Sequence, residues 1–134
     1  MKEKSGNKKP IVYSCSGCSN VAQLANSVAL EMDSQRIATM SCIAGVAGNV
    51  PDLVKFAKSG RPIIALDGCD SACVTHCLAH HQIKPEYHLV MTELGYVKRA
   101  RSLFGQQEKA HVMGKVNELL LLENGNEPTL SEIS

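Results

Sequence analysis

Short, continuously apolar runs alternate along this chain with longer stretches of helical period. Ile11–Tyr13, Arg36–Met40, Ile63–Leu66 and Tyr87–Met91 read as strands; Ile63–Leu66 is apolar at every position, as in a parallel strand covered on both faces. Val21, Leu24, Ala25, Val28 and Met32 recur at helical spacing and predict an amphipathic helix from Asn20 to Met32. Asn20 is its expected N-cap, with Gln23 in the capping-box position. The glycine-punctuated segment from Ile43 to Val50 reads as a connection into a second helix that opens at Pro51 and closes at Gly60 in a left-handed cap. A third helix is expected from Ser71 to about His81, N-capped by Asp70. Val97–Gln107 reads as loop or short helix. Lys109–Glu123 is a last helix with Val112, Met113, Val116, Leu119 and Leu120 on one face.

Strands that alternate with helices predict an α/β fold, and a parallel sheet needs crossovers of this length. The expected architecture is a small doubly wound sheet, Rossmann-like or flavodoxin-like, mostly parallel, of about four strands with helices on both faces. Residues 10–123 form the single expected domain, between a flexible arm at 1–9 and a frayed tail at 124–134.

Composition narrows the function. With 44% hydrophobic but only 4% aromatic residues, the core must be aliphatic. The formal net charge is +1, and no basic stripe interleaved with aromatics points to nucleic acid. No apolar run approaches the roughly 18 residues of a membrane span. The charged start lacks the apolar stretch of a secretory signal. The expected location is cytoplasmic, and any partner is a small molecule or another protein.

Six cysteines in a reducing compartment point to metal or redox chemistry rather than to disulfide staples. Cys15 and Cys18 follow the first strand, Cys42 ends the second, and Cys69, Cys73 and Cys77 follow the third. In open α/β sheets, ligands gather beyond the carboxyl ends of the strands where strand order reverses. Cys-x-x-Cys spacing at Cys15 and Cys18 lets one turn offer two sulfurs to a metal, and a thioredoxin-like redox pair has the same spacing. A tetrahedral zinc site from Cys15, Cys18, Cys69 and Cys73 is the simplest expectation. Cys42 and Cys77 are secondary ligands, reactive thiols or small buried hydrophobes. Two alternatives stand beside zinc: a thiol redox or sulfur-transfer enzyme with a low-pKa cysteine, and an iron–sulfur cluster on the same thiols.

Around these sulfurs, Asp67 is expected to accept loop amides and fix the turn, and Gly68 to give it backbone freedom. His76 and His80 have ligand-compatible spacing but read as partly exposed helix residues. The arginine-bearing loop of cysteine phosphatases is absent, as are the Gly-x-Ser-x-Gly elbow and the P-loop.

Cys15-Ser16-Gly17-Cys18-Ser19, the run from Cys42 to Gly48, and Asp67-Gly68-Cys69 with Cys73 and Cys77 together resemble the DGC family. The resemblance covers roughly Ile11 to Leu94. It implies zinc held by four cysteines and no established reaction. Ser71-Ala72 stands where a proline-containing pair is expected from the family, a departure that bears on the helix start and not on a sulfur.

Overall fold

The computed structural model describes residues 9–123; the arm and tail expected from the sequence lie essentially outside this range. The elements run β1 (Ile11–Ser14), α1 (Asn20–Ser34), β2 (Thr39–Met40), α2 (Ile43–Ala47), α3 (Pro51–Ala57), β3 (Ile63–Asp67), α4 (Cys73–Ala79), β4 (Tyr87–Val90) and α5 (Gln106–Glu123). A 3-10 turn, Met91–Leu94, follows β4. The four strands form one sheet in the order β2-β1-β3-β4, and every pairing is parallel. The α/β architecture expected from the sequence is the one observed.

Two apolar layers cover the sheet. Alternate strand residues Val12, Ile64 and Leu66 pack with Val21, Leu24, Ala25 and Val28 of α1 and with Val112 and Val116 of α5. The opposite register, Ile11, Tyr13, Ile63 and Ala65, packs with Val46, Ala57, Val74 and Leu78 of α2, α3 and α4. Both faces of β1 and β3 are therefore dry, which explains the apolar runs Ile11–Tyr13 and Ile63–Leu66 within them. Truncating Leu24 or Ile64 to alanine in such a core costs about 2–5 kcal/mol.

Several boundaries differ from expectation for local reasons. The N-cap of α1 is Ser19, whose hydroxyl accepts the Ala22 N–H at 3.1 Å. Gln23 forms no capping box; its amide donates to the Gly17 carbonyl at 2.7 Å and so braces the Cys15–Cys18 turn. β2 holds only Thr39 and Met40, because Arg36 sits at φ 64° and Ile37 still donates to the Met32 carbonyl. The segment read as connection contains α2, a short helix the glycines obscured. Gly60 does adopt φ 94°, beyond the last turn of α3. Residues 97–105 contain no helix.

The start of α4 is the largest departure. The helix begins at Cys73 and not Ser71, and its cap residue is Ala72 in the left-handed region at φ 51°, with no side-chain cap bond of its own. A proline, whose ring fixes φ near −65°, could not take that conformation. Asp70 does not cap. The carboxylate of Asp67, at the end of β3, reaches over and accepts the Val74 N–H at 2.8 Å.

Candidate thiol site

Sheet growth reverses between β1 and β3, and the thiols collect above the carboxyl ends of those strands. Cys15 N–H extends the ladder to the Leu66 carbonyl, so its side chain stands beside the turn that follows β3. There Gly68 N–H donates to the Cys15 sulfur at 3.1 Å. Gly68 is required for close approach rather than for conformational freedom. A Cβ on it would meet Ala22 N at 2.8 Å and the Val21 carbonyl carbon at 2.9 Å. Burial pushes the Cys15 thiol up; the Gly68 bond opposes this, while Asp67, Cys73 and Cys69 add to it.

Cys69 has the opposite environment. Its thiol is held down first by the Ser71 backbone and then by the Ser71 hydroxyl, with Lys98 adding a hydrogen bond and a positive charge against a small burial cost. Lys98 Nζ lies 3.4 Å from the sulfur, and the pairing in turn pushes the ammonium up, with Asp70 and Cys18 contributing. The thiolate-favouring position is thus in the turn, not at a helix end. Such a sulfur is both a better nucleophile at neutral pH and a better ligand than an ordinary cysteine.

Lys98 reaches Cys69 because residues 97–101 form a strap across the β1–α1 turn. Ser19 and Ala100 make an antiparallel bridge. Asn20 N–H donates to the Arg99 carbonyl at 3.0 Å and Arg101 N–H to the Cys18 carbonyl at 2.8 Å. The buried Asn20 side chain closes the strap, donating to the Val97 carbonyl at 2.9 Å and accepting the Arg99 N–H at 2.6 Å.

Beneath the thiols, Asp67 is only 1% exposed. Besides Val74, it accepts the Thr75 hydroxyl at 3.1 Å and His88 Nε2 at 2.8 Å. With three donors this carboxylate is committed to joining β3 to the start of α4 and to β4, whereas the sequence led to the expectation of bonds to loop amides.

The remaining thiols surround this centre. Cys18 is exposed. Cys73, also exposed, acts on the half-buried Cys77, whose thiol is pushed up by burial, then by Cys73 and Asp67. A groove of about 740 Å³ between α2 and α4 is lined by Ala47, Asn49, Ser71, Cys73, His76, Cys77 and His80. Cys42 is exposed at the start of α2 and is no core residue. It acts on the buried Tyr13 hydroxyl. Burial raises that phenol, with the Ser41 side chain opposing and Cys42 adding to the rise.

Cys15, Cys69 and Cys73 are thus brought within electrostatic reach of one another, and soft thiolates suit zinc. Among the described residues, however, no group of three or more His, Cys, Asp or Glu side chains is arranged to hold a metal ion. The donor chemistry fits; the arrangement is not a ready-made metal cage.

Lys98, Thr75, Asn20 and His88 belong to the site and were not signalled by the cysteine pattern. Only His88 left a trace in the sequence, as a lone polar residue inside an apolar strand.

This thiol-edged, doubly wound sheet matches a family model described as the DGC domain over residues 11–116. The chain belongs to that family. Over 90 residues it is 62% identical to the anaerobic and virulence modulator AnvM of Pseudomonas aeruginosa, an alignment that covers 67% of this chain and 69% of that protein. No solved structure matches it.

Proposed function

We propose that this protein carries out thiol–disulfide exchange, with Cys69 as the attacking thiolate and Cys15 as the thiol that resolves the mixed disulfide. The observation that carries this reading is the Lys98 ammonium, which donates to the Cys69 sulfur at 3.4 Å. Thiolate formation sets the rate of such attack, and an accessible, electropositive thiol is the reacting one. Cys15 lies within electrostatic reach of it, its sulfur on the amide of Gly68, the residue before Cys69. The relative AnvM is named an anaerobic and virulence modulator; a role tied to anaerobic conditions suits thiols whose state follows the redox balance. The reading places the protein in the cytoplasm, where the thiols are kept reduced.

Zinc on Cys15, Cys18, Cys69 and Cys73 is the second reading, supported by the donor chemistry and by the electrostatic nearness of three of these sulfurs. Zinc would supply fold stability in a closed four-thiolate site. The same sulfurs would serve an iron–sulfur cluster.

Metal content, absorption spectrum and alkylation rates after oxygen-free purification separate these. Exchange chemistry expects substoichiometric metal and one thiol that alkylates rapidly at neutral pH, lost in Cys69→Ser. One zinc per chain with slow thiols throughout would overturn it in favour of the metal site. A brown chromophore would replace both with the cluster.

A further inference from the structure

The end of the sheet away from the thiols carries a second cleft, which the exchange chemistry leaves unused. It lies at the amino end of β3 and has a volume of about 440 Å³, within the range of small-molecule clefts, roughly 300–1,000 Å³. Three parts of the chain build it: the end of α3 with Gly60, the entry to β3, and the turn that leads from α4 to β4. Two left-handed residues shape its walls, Gly60 at φ 94° and Gln82 at φ 59°.

Charge is spread unevenly over this lining. Lys58, Arg61 and Lys84 share it with one carboxylate, Glu86. With histidine neutral, that is an excess of two positive charges in a chain whose formal net charge is only +1. Glu86 is already engaged, since its Oε1 accepts the Ile63 N–H at 2.7 Å. Arg61 is fixed in place: Nε donates to the Lys9 carbonyl at 2.8 Å, Nη2 to the Thr39 hydroxyl at 2.9 Å, and the guanidinium carbon lies 5.1 Å from the centre of the Phe56 ring. None of these contacts supplies a counter-charge, and the guanidinium has further donors to offer. Lys58 and Lys84 are exposed, and among the described residues neither ammonium has a hydrogen bond or an ion pair.

Beneath the cations the lining is apolar. Ala57 and Ile63 are each 3% exposed, and Ile83 packs against the same core layer. A cationic rim over an apolar floor selects a ligand with acid groups on a carbon skeleton. Among the described residues no phenylalanine, tyrosine or tryptophan lines the cleft to stack a nucleobase. A folded partner would need a much broader contact surface.

We propose that this cleft binds a small organic molecule with two acid groups on a short carbon skeleton. The acid groups lie against Lys58, Arg61 and Lys84, and the skeleton lies on Ala57, Ile63 and Ile83. Carboxylates and phosphates offer the same charge and the same acceptor oxygens to lysine and arginine. The site does not depend on the redox or metal state of the cysteines, which lie past the opposite end of β3.

Isothermal titration calorimetry on the full chain tests this with four probes: glutarate, propane-1,3-diyl bisphosphate, sulfate and butyrate. Glutarate or the bisphosphate is expected to bind about tenfold tighter than sulfate, which lacks the skeleton, and than butyrate, which has one acid group. Whichever of the two binds tighter identifies the acid group as carboxylate or phosphate. The Lys58→Gln/Lys84→Gln double variant should weaken that binding by about tenfold through the loss of two exposed ion pairs. Gln82→Glu, which adds a carboxylate to the lining, should weaken it as well. These three side chains are exposed, and an unchanged urea midpoint shows that the fold is kept. Lys98→Gln, at the thiol edge, should bind as the parent chain does. No binding of either diacid at millimolar concentration overturns the proposal. So does equal binding of sulfate and butyrate, or binding that is lost in Lys98→Gln and kept in the double variant, which would place the anion at the thiols.

Discussion

Asp67 and His88 meet at 2.8 Å between neighbouring parallel strands, one side chain 1% and the other 33% exposed. The same carboxylate caps α4 through Val74 and binds Thr75, so one buried group joins β3, α4 and β4. Removing it strands three donors. Asp67→Ala is expected to lower unfolding free energy by about 2–4 kcal/mol, measured by urea denaturation. His88→Ala, at a partly solvated position, should cost about 1 kcal/mol or less. Equal costs for the two would contradict a carboxylate that serves mainly as cap.

The thiols should titrate in opposite directions. Cys69 is held below its unfolded value, so its contribution to stability is present above the unfolded pKa and is lost as pH falls through the folded one. Cys15 is raised, so its contribution is full below the unfolded pKa and is lost as pH rises through the folded one. Alkylation followed by peptide mass mapping at neutral pH should label Cys69 first and Cys15 late. A pH series should place the Cys69 midpoint below that of a free cysteine peptide.

Gly68→Ala places a methyl group against the backbone of Val21 and Ala22. Because the obstruction is main chain, it cannot swing aside as a side chain would. A loss of about 1–3 kcal/mol is expected, together with faster alkylation of Cys15 as the amide bond to its sulfur opens. Retained stability and unchanged Cys15 labelling would show that the turn has room to shift.

Asn20→Ala removes both side-chain bonds to the strap while leaving the main-chain bridge. Stability should fall by about 1–2 kcal/mol. The telling readout is the Cys69 pH profile, which should move upward, partway to the midpoint reached by Lys98→Met. A stability loss without that movement would mean that the strap does not position Lys98.

The sheet and its main helices were legible because β1 and β3 are buried on both faces and α1 carries a clean apolar stripe. The same pattern placed Cys15 and Cys69 just past the ends of β1 and β3. α2 was not legible, because five residues with a central glycine carry too little periodicity to mark a helix. The cap of α4 was misread for a different reason: its carboxylate comes from seven residues before Val74, outside any local capping rule. Lys98 was invisible from sequence because 29 positions separate it from Cys69, and only the strap's pairing with Ser19 and Asn20 brings them together.

The two sides of Cys69 are not held alike. On the α4 side, the buried carboxylate of Asp67 bolts helix to sheet, so Cys73 and Cys77 ride on a stiff wall. On the other side, the strap is tied by main-chain bonds and the buried Asn20 amide to the chain between Cys18 and Asn20, which itself carries a thiol. Lys98, among the described residues the one strap side chain on the Cys69 sulfur, therefore ties the state of that sulfur to the strap and the segment leading into α5 rather than to the helix wall.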